Sequence, residues 1–337
     1  MGEQVLITGV TGRVGSQLAR ELTAEGIQVR GLAMPDDPFL SRVSDLSGLD
    51  LHTADLRDTA SLTRAMDGID TVVHLAALLI LNGSAVDLYE VNVMGTMRLL
   101  EAAVSVDAAP RFLLASTDGT YGVVRPQYLP IDEGHPQVPG DYYSGSKVLA
   151  ERLLENYGAQ FGIPYLILRF STVISASESL NWFRYESSLA RLQRAALGKR
   201  TNLWPLFEEH PHMDQILIDA VDPGGNPAVA LQGPGGEPWA LPVTDARDIT
   251  QAIRRALDLE DWPGDQYNIA GPSVTSNDGA RVIGEVLEIP IHEVQLPVCW
   301  SYDVSTEKAT RTLGYEASWT FERIVRDAVA SQTTTTA

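Results

Sequence analysis

The chain is short of cysteine, of lysine, of positive charge and of long apolar runs, and each shortage excludes something. Its 337 residues include one cysteine, Cys299, so no internal disulfide can staple the fold, and the reducing cytoplasm is the expected setting. Against 44 acidic residues stand 25 basic ones, a formal net charge of −19. That balance opposes attraction to nucleic-acid phosphates and to anionic membrane surfaces, and no nucleic-acid partner is expected. The longest apolar stretch, near residues 71–81, contains His74 and is too short to span a bilayer. No charged start followed by an apolar run and a cleavage site occurs at residues 1–9, where a short apolar run leads into a glycine turn and reads as a first strand. No membrane segment is therefore expected. Lysine occurs only at positions 147, 199 and 308; composition bias explains the scarcity, yet it draws attention to the one beside a tyrosine.

What is present is 44% hydrophobic content, enough for one large core and a second, smaller lobe around a cleft. Short β-branched or apolar runs at 4–8, 27–33, 49–53, 71–75, 111–116 and 164–170 alternate with segments of helical period near 14–25, 59–66, 87–106 and 141–161. The alternation predicts an α/β fold, a doubly wound parallel (Rossmann) sheet covered by helices. After Phe170 the texture becomes rich in Ser, Trp, Pro and Gly, which suits a loop-rich substrate lobe. The expected division is a dinucleotide domain over 1–170, rejoined by 239–270, and a C-terminal substrate-binding lobe over 171–238 and 271–330. The tail 331–337 is polar and expected to fray. No internal repeat is visible.

Directly after the first strand stands Gly9-Val10-Thr11-Gly12-Arg13-Val14-Gly15, leading into an amphipathic run. Glycines three apart let the backbone turn tightly, let a pyrophosphate reach the amides at a helix N-terminus, and let that helix pack close on the sheet. A purely structural turn is the competing reading. The second strand ends Leu32-Ala33-Met34, with neither the carboxylate that holds the NAD ribose nor an arginine for the NADP phosphate. Asp36 is within reach of a ribose and Arg13 of a phosphate, so the cofactor is read as NAD or NADP. Asp55, after the third strand, is placed either to meet the adenine or to cap the next helix.

Tyr142-Tyr143-Ser144-Gly145-Ser146-Lys147 opens a helix, and Tyr143 and Lys147, four apart, share one face. A phenol with an unperturbed pKa of about 10 accepts a proton near neutrality only beside positive charge, which Lys147 and an oxidised nicotinamide can both supply. Tyr142 has Ser146 four residues on and gains no charge, so Tyr143 is the expected base. Ser116 and Thr117 end the fifth strand at the carboxyl edge of the sheet, where ligands of such folds bind, and Thr117 is placed to hydrogen-bond the reacting oxygen.

In this order the residues resemble the extended short-chain dehydrogenase/reductase superfamily, NAD-dependent epimerase/dehydratase group, over roughly residues 4–330. The carrying motifs are Thr8 through Gly15, Asp55-Leu56-Arg57-Asp58, His74-Leu75-Ala76-Ala77, Asn92-Val93-Met94-Gly95-Thr96, Ser116-Thr117 and Tyr143-x-x-x-Lys147. The resemblance implies that Ala76 and Ala77 line the cofactor, Asn92 supports the site, Thr117 stands for the family's Ser/Thr and Lys147 binds the nicotinamide ribose. The implied cofactor-binding set is Gly9, Thr11, Gly12, Arg13, Val14, Gly15, Asp55, Leu56, Leu75, Ala76, Ala77, Asn92, Ser116, Tyr143, Lys147, Phe170 and Val173. It also implies a homodimer through the helices near 87–106 and 141–161.

Departures bear on the substrate. After the sixth strand the chain reads Arg169-Phe170-Ser171-Thr172-Val173-Ile174-Ser175-Ala176, without the asparagine and Gly-Pro of nucleotide-sugar members. Pro238 stands where those members place a diphosphate-clamping arginine, with Arg184, Arg191 or Arg247 as substitutes. Asp118 is followed by Gly119 rather than the glutamate of dehydratases. Residues 204–214 hold Glu208, Glu209, His210, His212 and Asp214, read as a solvated lid loop rather than a metal site. The leading expectation is a dehydrogenase or reductase acting on a hydroxyl/keto carbon of a small polar or sugar-like substrate. The alternatives are an epimerase that uses the same residues twice around a keto intermediate, and a dinucleotide sensor without chemistry.

Overall fold

Apolar runs without alternation suit strands buried on both faces. The computed structural model, which describes residues 3–79 and 83–335, buries the runs at 4–8, 71–74, 111–117 and 165–170 largely in that way and leaves the run at 49–53 at a more exposed edge. β1 (Gln4–Thr8) is followed by α1 (Arg13–Ala24), β2 (Gln28–Ala33), β3 (Leu49–Thr53), α2 (Thr59–Ala65) and β4 (Thr71–His74). Then come α3 (Ala85–Tyr89), a π turn over Glu90–Met94, α4 (Gly95–Val104), β5 (Arg111–Thr117), α5 (Tyr142–Phe161) and β6 (Tyr165–Phe170). The chain continues through β7 (Val173–Ile174), α6 (Ala176–Ser179), α7 (Tyr185–Ala195), α8 (Trp204–Glu209), α9 (Met213–Ala220), β8 (Ala228–Gln232), β9 (Ala240–Pro242), β10 (Thr244–Asp245), α10 (Ala246–Leu257) and β11 (Pro263–Ile269). β12 (Ser273–Thr275), α11 (Ser276–Leu287), β13 (Ile291–Gln295), α12 (Glu307–Leu313) and α13 (Phe321–Thr335) follow.

Seven strands form one sheet in the order β11-β6-β5-β4-β1-β2-β3, and every neighbouring pair is parallel. This is the doubly wound Rossmann arrangement. The chain winds outward from β1 to β3, then from β4 to β6, so a crevice opens where β1 and β4 part at their carboxyl ends. Leu18, Leu22, Ile249 and Ile253 of α1 and α10 cover one face of the sheet. Leu62, Leu99, Leu100 and Leu154 of α2, α4 and α5 cover the other. A third core, including Phe183, Leu192, Phe207, Trp239, Trp300 and Ile324, is built mainly from the C-terminal half, with Tyr121, Val123 and Ile131 added from the segment after β5.

Several segments differ from the sequence reading. The helix expected over 87–106 is interrupted by the π turn, which no hydrophobic period announces. Residues 171–238, expected to be loop-rich, carry four helices. The supposed lid loop 204–214 consists of α8 and the start of α9, with Leu206, Phe207 and Met213 buried; their burial in the third core outweighs the surrounding Pro and His. β9 pairs antiparallel with β12 and β8 parallel with β13, while α10 and β11 lie on the large sheet. α13 runs on past Ser331 to Thr335; residues 336–337, and residues 80–81 of the long apolar stretch, lie outside the described residues. Among the described residues no helix is long and apolar enough to cross a membrane, and no group of three or more His, Cys, Asp and Glu is arranged to hold a metal.

Candidate active site

The glycine turn is built as its spacing requires. Gly9 has φ +68°, and a Cβ there would stand 2.9 Å from the Ala76 amide nitrogen, while a Cβ on Gly15 would overlap the Gly9 carbonyl oxygen. Gly12 is the N-cap of α1, with no side-chain cap and no acidic residue in the first turn, so the helix presents first-turn N–H groups suited to an anion. A groove of about 490 Å³ runs along this turn, lined by Gly9, Thr11, Gly12, Asp55, Leu56, Leu75, Ala76 and Ala77. A cradle that side chains would fill, a helix N-terminus and a polar end at Asp55 together fit a dinucleotide.

The carboxylate that enters the groove beyond β2 is Asp37, not Asp36. Asp36 is exposed with φ +57°, whereas Asp37 lines the groove and accepts from the Thr11 hydroxyl at 2.6 Å and the Phe39 amide at 2.9 Å. Asp55 also lines it and pairs with Arg57 at 2.6 Å, and the hydrogen bond from Arg57 holds its carboxyl below the usual range. The helix cap is Asp58, which accepts from Ala60 and Ser61. Arg13 turns away from the groove, to Glu178 at 2.8 Å and to the Val173 carbonyl.

A second cavity, of about 360 Å³, lies beside α5 and the end of β5. Arg13, Ser116, Thr117, Tyr143, Phe170 and Val173 line it, together with Asp118, Asp141, Ser144, Ser171, Trp300 and Tyr302. Val14, Gly15, Asn92 and Lys147 line neither space. Gly15 is under the turn, and Lys147 is 3% exposed, one helical turn from Tyr143. Asn92, in the π turn, clamps the loop after β4 to α5. Its Oδ1 accepts from the Leu78 amide at 2.7 Å, and its Nδ2 donates to the Leu78 carbonyl at 3.0 Å and to Ser146 Oγ at 2.9 Å. Functional sites recurrently carry such π distortions.

Burial, then the carboxylates of Asp141 and Asp118, push the Tyr143 phenol above its ordinary value. Burial pulls the Lys147 ammonium down to about 8, opposed by Glu151. Thr117 Oγ1 accepts from the Gly119 amide at 3.1 Å and faces Asp118 Oδ1 at 3.3 Å. Asp118 is 6% exposed, and its Oδ2 accepts from Ser171 at 2.6 Å and Tyr302 at 3.0 Å. Burial raises its pKa against the pull of these hydroxyls. Ser171 and Tyr302 belong to no motif in the sequence, the latter being brought in from 184 residues away, and Asp118 stands out there only as a departure from the dehydratase pattern.

The model of the NAD dependent epimerase/dehydratase family matches residues 5–270. The chain belongs to that family. It is thus an enzyme of the extended short-chain dehydrogenase/reductase type with an NAD or NADP cofactor. Among its relatives, an L-arabinose 1-dehydrogenase (NAD(P)(+)) from Haloferax volcanii is 32% identical over 203 residues, 57% of this chain and 76% of that protein. A UDP-glucose 4-epimerase from Rhizobium meliloti is 31% identical over 308 residues, 83% of this chain and 90% of that one. A short-chain dehydrogenase/reductase superfamily protein from Agrobacterium tumefaciens, solved with bound NAD, superposes with a TM-score of 0.83 at 27% identity, covering 99% of this chain and 98% of its own.

None of the three arginines considered as a diphosphate clamp lines the cavity. Arg184 holds the turn at Gly225 and Asn226, Arg191 bonds the Trp182 carbonyl, and Arg247 pairs with Asp245 and Asp327.

Proposed function

We propose that the protein is a dehydrogenase or reductase that moves a hydride between NAD(P) and a hydroxyl/keto carbon of a sugar-like substrate. The observation that carries this reading is that Tyr143 and Thr117 open into one cavity beside the glycine turn. In the direction of oxidation Tyr143 Oη takes the proton of the substrate hydroxyl, and Thr117 Oγ1 hydrogen-bonds the same oxygen as it becomes a carbonyl. Lys147, one turn on from the phenol, would hold the nicotinamide ribose and bring a positive charge to that side of the site. When bound, the oxidised dinucleotide supplies the hydride acceptor and a positive charge that offsets the carboxylates around Tyr143. In reduction Tyr143 returns the proton.

The likeness to a UDP-glucose 4-epimerase over 83% of the chain favours a second reading, in which the same residues act twice on a retained keto intermediate. Net turnover separates them: a dehydrogenase changes the nicotinamide absorbance in step with product, and an epimerase leaves it constant. Tyr143→Phe should lower the rate by about 10²–10⁴-fold, the usual worth of a positioned acid/base, with nucleotide affinity retained. A substrate that turns over equally well in that variant would sink the assignment. The proposal includes a homodimer through α4 and α5, where Leu149 and Phe161 are exposed; a monomer in sedimentation would remove that part.

A further inference from the structure

The substrate cavity carries its charge on the wrong side for a nucleotide sugar. Among the described side chains that line it, Asp118 and Asp141 are acidic and Arg13 is the one basic group, and Arg13 is engaged by Glu178 at 2.8 Å. Asp141 is used locally, as the N-cap of α5, accepting from the Ser144 amide at 2.9 Å and hydroxyl at 2.8 Å. Asp118 is different. It is buried, and among the described residues its side-chain partners are hydroxyls with no cation: Ser171 at 2.6 Å and Tyr302 at 3.0 Å fix Oδ2, and Thr117 stands 3.3 Å from Oδ1. Burial disfavours its charge, but the hydroxyls that donate to both oxygens favour it; an ionised carboxyl accepts hydrogen bonds and donates none, so facing a cavity it is matched by hydroxyl donors and repels phosphate or carboxylate.

The wall opposite in chemistry is aromatic. Trp300 and Tyr302 stack with centroids 5.5 Å apart and planes 29° apart, and Trp300 Nε1 is tied to the Val123 carbonyl at 3.1 Å. A fixed apolar plate beside an acceptor suits the C–H face and O–H edge of a pyranose. At about 360 Å³ the cavity sits near the small end of the roughly 300–1,000 Å³ usual for small-molecule sites.

Resting on the hydride-transfer reading above, we propose that this cavity takes a neutral, unphosphorylated sugar, and that Asp118, fixed by Ser171 and Tyr302, binds its hydroxyl groups and turns away anionic sugars. Calorimetric titration of the NAD-loaded protein with L-arabinose, D-galactose, D-galacturonate and UDP-galactose tests it. At least one neutral sugar should bind about 10-fold or more tighter than both anionic compounds, the difference one unpaired like-charge contact makes. Binding of neither neutral sugar, or of either anion within that margin, overturns the proposal. Asp118→Asn should weaken the neutral sugar about 10- to 100-fold, the worth of a charge-assisted hydrogen bond, with NAD affinity and melting temperature kept; unchanged sugar affinity overturns it. Should that variant fail to fold, Ser171→Ala, which frees Oδ2 of one partner, must shift sugar affinity without shifting NAD affinity. Sugar binding without any change in nicotinamide absorbance would support the cavity assignment while removing the dehydrogenase reading.

Discussion

Arg169 on β6 grips both carboxylate oxygens of Glu151 on α5, at 3.0 Å and 2.7 Å, with the two side chains 4% and 0% exposed. Ser116 donates to the same carboxylate, Gln137 reaches it at 2.7 Å, and the remaining Arg169 nitrogen donates to Tyr121 at 2.7 Å. The pair therefore pins the helix bearing Tyr143 and Lys147 to the strands bearing Thr117 and Phe170. Removing one partner leaves an uncompensated buried charge, so Arg169→Met or Glu151→Gln should cost about 3–5 kcal/mol in urea unfolding. The double variant should recover part of that loss. Equal, additive losses in the two single variants and the double would show that the pair is not coupled.

Lys147 titrates where cofactor binding can report it. Burial lowers its pKa to about 8, so the ammonium is present below that pH and is lost as pH rises through it. NAD affinity should decline across that range in the wild type. Lys147→Ala should bind NAD about 10- to 100-fold more weakly, as loss of a charged hydrogen bond implies, and its affinity should no longer vary there. Fluorescence titration of the nucleotide at several pH values measures both, and a variant with wild-type affinity would remove Lys147 from the ribose.

Much of this arrangement was readable from residue order, because its causes are local. Gly9, Gly12 and Gly15 are demanded by a tight turn and a close helix, and Tyr143 and Lys147 share a face by helical period alone. The strands β1 and β3 begin and end where their apolar runs do. What escaped depends on contacts between distant segments. Tyr302 reaches Asp118 across the lobe, Asp37 replaces Asp36 because the backbone turns through a positive φ, and α8 forms because Leu206 and Phe207 find a core. The π turn that aims Asn92 at Ser146 leaves no trace in the hydrophobic period.

His74 should make the fold acid-sensitive. Its ring lies between Thr8 at 2.7 Å on Nδ1 and Thr96 at 3.0 Å on Nε2. Thr96 spends its own proton on the Asn92 carbonyl at 2.7 Å, so Nε2–H donates to Thr96, Nδ1 accepts from Thr8, and the ring is neutral. Burial, then the charge of Lys147, pulls its pKa to about 3 from 6.5. Between those values the unfolded chain holds a proton that the folded chain lacks, so stability falls as pH falls from about 6.5 toward 3. At pH 5 this amounts to about 2 kcal/mol relative to pH 7. Urea midpoints at the two pH values should converge in His74→Gln; an undiminished pH dependence would assign the acid sensitivity elsewhere.

The adenosine end of the groove should favour NAD over NADP. Asp37, Asp55, Asp87 and Glu90 line it, and the cation among its lining residues, Arg57, is already held by Asp55 at 2.6 Å. Arg42, behind the turn, is bonded to the Thr11 carbonyl at 3.2 Å and lies over the Phe39 ring. A 2′-phosphate brings about two negative charges against these carboxylates, and at groove separations each like-charge contact costs on the order of 1 kcal/mol or more. NADH should therefore bind at least about tenfold tighter than NADPH, equivalent to about 1.4 kcal/mol. Asp37→Ser removes the carboxylate that Thr11 holds toward the groove and should narrow the ratio by strengthening NADPH more than it weakens NADH. The preference should shrink as salt is added, because screening acts on the repulsion and not on shape. Equal affinities in the wild type, or a ratio unmoved in Asp37→Ser, would show that shape rather than the Asp37 charge decides between the two nucleotides.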